Sequence, residues 1–229
     1  MAFLSSTENL MDVALENSKP RNWALIAQLG VVFVLIEGAL WTRGVTQNYW
    51  FLAALTALIV SVLFTNPRAN ELGVGFRGMV GASIAIPIAL AFSAMTIWVA
   101  WEVGTLRLVN GTISVPWHSL FYAIWALEQE FILNAFFYRR FEWLMGRTTG
   151  SLVVTALLFS LVHLPNPVLV PATFVGGLFF VAIFRRFRNI YPLAIAHAIL
   201  GLTVGMAFPD HLIRHMRVGI GFIYFHMRG

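Results

Sequence analysis

Long apolar runs, broken only by short polar stretches that carry arginine, decide what this chain can fold into. A bilayer core about 30 Å thick asks for about 20 apolar residues per helical crossing, and run after run comes near that length. Of the 229 residues 59% are hydrophobic and 11% charged, whereas a water-soluble domain carries roughly 25% charged residues. Lipid must therefore be the solvent. The expected fold is all-α, a polytopic transmembrane helical bundle of about seven to eight spans, with the lipid bilayer as its first partner.

Composition also removes function classes. The net charge of +5 is no nucleic-acid footprint, because the arginines cluster between apolar runs instead of lining one surface. The absence of cysteine rules out disulfides, thiolate chemistry and cysteine-based metal or haem sites.

Taken in order, residues 1–20 carry Glu8, Asp12 and Glu16 without a continuous apolar stretch, so they read as a polar lead and not as a signal peptide. The transmembrane domain then covers 21–208. Spans are expected at about Trp23–Trp41, Tyr49–Phe64, Val80–Trp101, Pro116–Arg140, Ser151–His163, Val168–Phe184 and Ile190–Phe208. Glu37 lies near the end of the first span, where it reaches the interface or pairs with an arginine. Pro87 is a candidate kink in the third, Asn110-Gly111 reads as a turn, and Gly176-Gly177 lets a neighbouring helix approach. The tail, 209–229, reads as an interfacial segment or a short eighth helix.

Arginine and lysine placement sets the topology. Lys19, Arg21, Arg68, Arg77, Arg139, Arg140, Arg147, Arg185, Arg186 and Arg188 fall on one side of alternating spans, against Arg43 and Arg107 on the other before the tail. The positive side is cytoplasmic. This implies an integral protein of a prokaryotic inner membrane, with a cytoplasmic N-terminus and the His163-Leu-Pro-Asn-Pro167 corner facing outward.

Within this apolar chain, Leu127–Arg140 (LEQEFILNAFFYRR) stands out. A carboxylate at membrane depth costs about 2.5–3.5 kcal/mol on insertion scales and usually faces a protein interior. At about 100° per residue, Glu128 and Glu130 point to nearly opposite faces. Glu130 shares its face with Asn134, while Glu128 shares one with Phe131 and Ile132, so Glu130 is the better candidate. His163 and His197 are the later polar points. A buried glutamate and two imidazoles suit hydrolysis: the carboxylate takes a proton from water, one histidine orients that water and the other donates to the oxyanion or leaving nitrogen. Zinc is the alternative use of two histidines and a glutamate, but no HExxH occurs and the groups come from separate spans. Ser160 lacks a GxSxG setting.

These residues resemble the CAAX prenyl endopeptidase and bacteriocin-processing family of intramembrane glutamic proteases. That family carries EExxxRG, then FxxxH, then HxxxN with asparagine or aspartate in last place. Here Gln129-Glu130-Phe-Ile-Leu-Asn134-Ala135 lies on the first motif, Phe159-Ser-Leu-Val-His163 on the second and His197-Ala-Ile-Leu-Gly201 on the third, within a family-like core at about 70–208. The resemblance implies a peptidase without cofactor or metal, acting on a membrane-anchored protein or peptide near its C-terminus or membrane junction. In the family the first glutamate is the expected base, paired with the second-motif histidine, and the third-motif histidine and asparagine hold the oxyanion. Here those positions hold Gln129 for the glutamate, Asn134 for the arginine and Gly201 for the asparagine. Either Glu130 takes the base role, with Asn134 as a substitute oxyanion donor, or a local helix adjustment brings in Glu128. The rival expectation is an inactive membrane scaffold or binding protein that keeps the fold. A transporter would show paired broken helices, which this chain lacks.

Overall fold

The computed structural model describes residues 21–107 and 115–225; the polar lead at 1–20 and the Asn110-Gly111 turn lie outside them. Every regular element among the described residues is helical. The chain runs through α1 (Asn22–Trp41), α2 (Val45–Thr65), α3 (Ala69–Leu72), α4 (Met79–Ala82), α5 (Ala85–Val103) and α6 (Val115–Glu130). A π-helical segment (Phe131–Tyr138) leads into α7 (Arg139–Met145), followed by α8 (Thr149–Leu161), α9 (Leu169–Phe187), α10 (Tyr191–Ala207), α11 (Asp210–Ile213) and α12 (Gly219–Ile223). Among the described residues four stretches are long and apolar enough to cross a membrane, namely α1, α2, Met79–Val103 and α9, and α8 and α10 are shorter apolar helices.

Pairing follows the chain: α1 packs on α2, α8 on α9, and α10 between α5 and α6. Gly177 makes the α8–α9 approach possible, since a Cβ there would lie 3.1 Å from the Ala156 backbone. The helix break at Ser83-Ile84 sits where the Pro87 ring would collide with the carbonyl four residues back. Among the described residues Glu37 pairs with no arginine: its Oε2 accepts from Trp41 Nε1 at 2.9 Å, one turn on.

The arginine pair at 139–140 departs from the loop reading. Both side chains are interior, Arg140 at 1% exposure. Arg140 donates from Nε to Gln28 Oε1 (2.9 Å), from one terminal nitrogen to the Ser61 carbonyl (3.1 Å) and from the other to the Phe136 carbonyl (3.2 Å), while its guanidinium lies 3.7 Å from the Phe136 ring centre. It thereby ties α1 and α2 to the π segment. Arg139 pairs with Glu71, and Arg188 with Glu142. Replacing Arg140 with Met removes these three bonds from a charged donor, each worth about 1.5–3 kcal/mol. The Arg140→Met protein is therefore expected to melt several degrees lower in detergent; an unchanged midpoint would show that the guanidinium does not hold α1–α2 in place.

Among its described residues the tail has no helix long enough for an eighth span. Helices of four and five residues rise only about 1.5 Å per residue. They fold instead across one end of the bundle. The Asn166 amide nitrogen donates to the Ile213 and Arg217 carbonyls, and its Oδ1 caps α9 by accepting from the Val168 and Leu169 amides. Gly219 donates to the Leu164 carbonyl at 2.7 Å. At φ +55° it also presses so close to α1 that a Cβ would meet the Leu40 carbonyl oxygen at 2.2 Å.

Candidate active site

Glu130 ends α6 and is completely buried. Its Oε1 lies 2.8 Å from His197 Nδ1, on the facing wall of α10, and its Oε2 accepts from Asn134 Nδ2 at 2.7 Å. With Glu130 ionised, its carboxylate can only accept, and the shared proton then belongs to His197 Nδ1 and leaves the Nε2 lone pair free. The imidazole ring is held in place by stacking on Phe180 at 5.3 Å between centres with a 14° tilt, and by the edge of Phe159 at 6.1 Å.

His163, at the end of the α8 corner, has its Nδ1 at 2.7 Å from the Phe159 carbonyl. That nitrogen donates, since a carbonyl cannot, and the second nitrogen again keeps its lone pair. The ring packs against Phe159 at 4.9 Å, so one phenyl ring contacts both imidazoles. The two histidines line the same cavity of about 680 Å³, together with Tyr122, Glu128, Gln129 and Gly201. Its walls are otherwise mainly apolar residues of α1, α2, α8 and α9, and the tail residues Met216, Arg217 and Val218 close one side.

Of the residues expected from sequence, Glu130, Asn134 and His197 thus come together, and His163 joins His197 on the cavity wall. Neither Glu130 nor Asn134 is among the residues lining the cavity, which bears on two expectations. The Glu130 carboxylate reaches the cavity through His197 and not directly. Asn134 spends its amide on Glu130 and is fully buried, so it does not face a bound carbonyl as an oxyanion donor. Glu128 does line the cavity, contrary to the poorer wall expected for it, yet it makes no hydrogen bond or ion pair among the described residues. The helix departs from α geometry three residues after it, in the π segment that starts at Phe131. Ser160 donates to the Val170 carbonyl at 2.8 Å and is buried, a structural role.

Sequence reasoning missed Gln129 and Tyr122 as cavity residues. Gln129 has a buried Oε1 with no hydrogen-bond partner among the described residues. A catalytic zinc takes three protein ligands. The cavity wall carries Glu128 besides the two histidines, but among the described residues no group of three histidines or acids is placed to hold a metal.

The model of the family described as Type II CAAX prenyl endopeptidase Rce1-like matches residues 111–203. That stretch contains all three motifs, and the match supports the family assignment made from them. No curated protein and no solved structure matches the chain.

Proposed function

We propose that this integral membrane protein, of the Rce1-like CAAX endopeptidase family by its match over residues 111–203, is an intramembrane peptidase in which Glu130 acts through His197. The observation that carries the reading is the 2.8 Å contact between the buried carboxylate and the imidazole on the cavity wall. Water on the cavity side gives its proton to His197 Nε2 as its oxygen bonds to the peptide carbonyl carbon, and the carbonyl electron pair moves onto oxygen. The imidazolium, stabilised by Glu130, then passes that proton to the leaving nitrogen as the C–N bond breaks. His163 accepts a hydrogen bond from the same water and orients it. No covalent enzyme intermediate and no cofactor take part.

The substrate class follows from the cavity. Its apolar walls suit a hydrophobic segment, and its polar groups gather at the histidines, so a peptide bond at the end of a membrane anchor is the fitting target. The side of the membrane is inferred from Arg68, Arg77, Arg147, Arg185, Arg186 and Arg188, which lie at the bundle end opposite the tail; Arg139 and Arg140 no longer contribute to that count. The HLPNP corner and cavity mouth then face outward.

A second reading has its own support. Gln129 stands where the family has its base, and both Glu130 oxygens are already bonded, which suits a binding protein that keeps the fold. The two separate on one experiment. A reporter protein ending in a hydrophobic helix is co-reconstituted with the chain in liposomes, and new C-termini are sought by mass spectrometry. A defined cut next to the helix is expected from the peptidase; stable binding of an uncut reporter would favour the scaffold.

A further inference from the structure

The third motif closes on Gly201 where the family carries asparagine, and a different helix fills the space left open. A Cβ at buried Gly201 would lie 1.9 Å from the Tyr122 hydroxyl and 2.6 Å from the ring carbon bearing it. The phenol end therefore occupies the volume that a side chain at 201 would claim. An asparagine at 201 would have to push the Tyr122 ring out of this place.

Placement gives the hydroxyl a use. Gly201 follows His197 by four residues on α10, one helical turn or about 6 Å along the axis, so the Tyr122 hydroxyl packs on the His197 face of α10, one turn further along. On α6, Tyr122 precedes Gln129 by seven residues, two turns, and shares its face. All four residues line the cavity. A tyrosine presents an apolar body and an O–H donor, which suits a wall otherwise apolar.

We propose that Tyr122 is the oxyanion-binding catalytic residue, replacing the amide that Gly201 lacks. The inference rests on the peptidase reading and deepens it. When water adds to the scissile carbonyl, the oxygen that takes up the electron pair accepts the Tyr122 O–H. Gln129, with its buried unpartnered Oε1 on the same face of α6, accepts a backbone N–H of the substrate. The scissile bond then lies between His197 and Tyr122, with the peptide held along α6.

The test uses the full chain in liposomes and a quenched fluorogenic peptide followed by a C-terminal hydrophobic helix. Tyr122→Phe keeps the ring and removes the donor; kcat is expected to fall about 10²–10³-fold, the loss typical for one oxyanion donor, with KM changed by less than about twofold. The melting midpoint should hold. Tyr122→Ala with Gly201→Asn moves the donor to α10 and should recover about tenfold or more over Tyr122→Ala alone. A wild-type rate in Tyr122→Phe overturns the assignment, as does a double variant no faster than Tyr122→Ala. If Glu130→Gln abolishes cleavage while Tyr122→Phe does not, the peptidase reading stands and this inference falls. A wild-type protein that leaves the peptide uncut rejects both.

Discussion

Glu130→Gln is expected to lower kcat by about 10³–10⁴-fold with little effect on KM, the scale seen when the carboxylate that fixes a catalytic histidine is lost. The substitution is nearly isosteric, so packing around the buried side chain is kept. Its chemistry is not. The carboxylate accepts from two donors at once, His197 Nδ1 and Asn134 Nδ2, and a glutamine offers one oxygen and one NH2. If the oxygen stays with Asn134, the NH2 faces His197 and donates to Nδ1. The imidazole proton then moves to Nε2, and the cavity meets a donor where it had met a base. Steady-state rates on the anchored peptide in liposomes measure the effect. A residual rate near that of the wild type would remove Glu130 from the mechanism.

His197→Phe is expected to abolish cleavage to a similar extent and also to destabilise the protein. The phenyl ring can keep the stack on Phe180, but it leaves one oxygen of a fully buried carboxylate without a partner. Breaking a buried pair from one side costs about 3–5 kcal/mol, enough to lower the melting midpoint by several degrees. Adding Glu130→Leu removes the stranded charge, so the double variant should melt above His197→Phe alone. Its activity should be no lower than that of either single variant, because residues that act as a unit lose their effect together. Additive losses in rate, or no recovery in melting, would show that the two groups work separately.

The separation between what was legible and what was not has a physical origin. Motif spacing predicted that Glu130, Asn134 and His197 serve one region, because i,i+4 geometry and the order of three polar points survive in any helical bundle. Faces and depths were harder to read. In a soluble helix a polar stripe marks the exposed side, but in lipid both the outward and the inward faces are apolar, so nothing in the sequence says that Glu128 and Gln129 reach the cavity while Glu130 sits behind His197. Burial of Arg140 was hidden for the same reason: a charged residue at the end of an apolar run looks like an interfacial anchor until its acceptors on α1 and α2 are seen. The π segment carries no sequence signal that distinguishes FILNAFFY from ordinary helix. Gly201 was legible as a departure, but its meaning lay in Tyr122, nearly eighty residues earlier.

The tail illustrates another limit. Its residues 209–225 have mixed polarity, which fits an interfacial helix, a span or a cap. The choice is made by Asn166, whose side chain satisfies two tail carbonyls and two amides of its own corner at once. That one residue fixes the cavity wall next to His163.

The central claim is that Glu130 holds His197 with its Nε2 lone pair toward the cavity. Nitrogen-15 shifts of histidine-labelled protein in liposomes, recorded above the imidazole titration range, report the tautomer directly. The predicted result is a proton on Nδ1 of His197 in the wild type and its transfer to Nε2 in Glu130→Gln. A wild-type His197 that already carries its proton on Nε2 would contradict the account, since that nitrogen could not then take a proton from water.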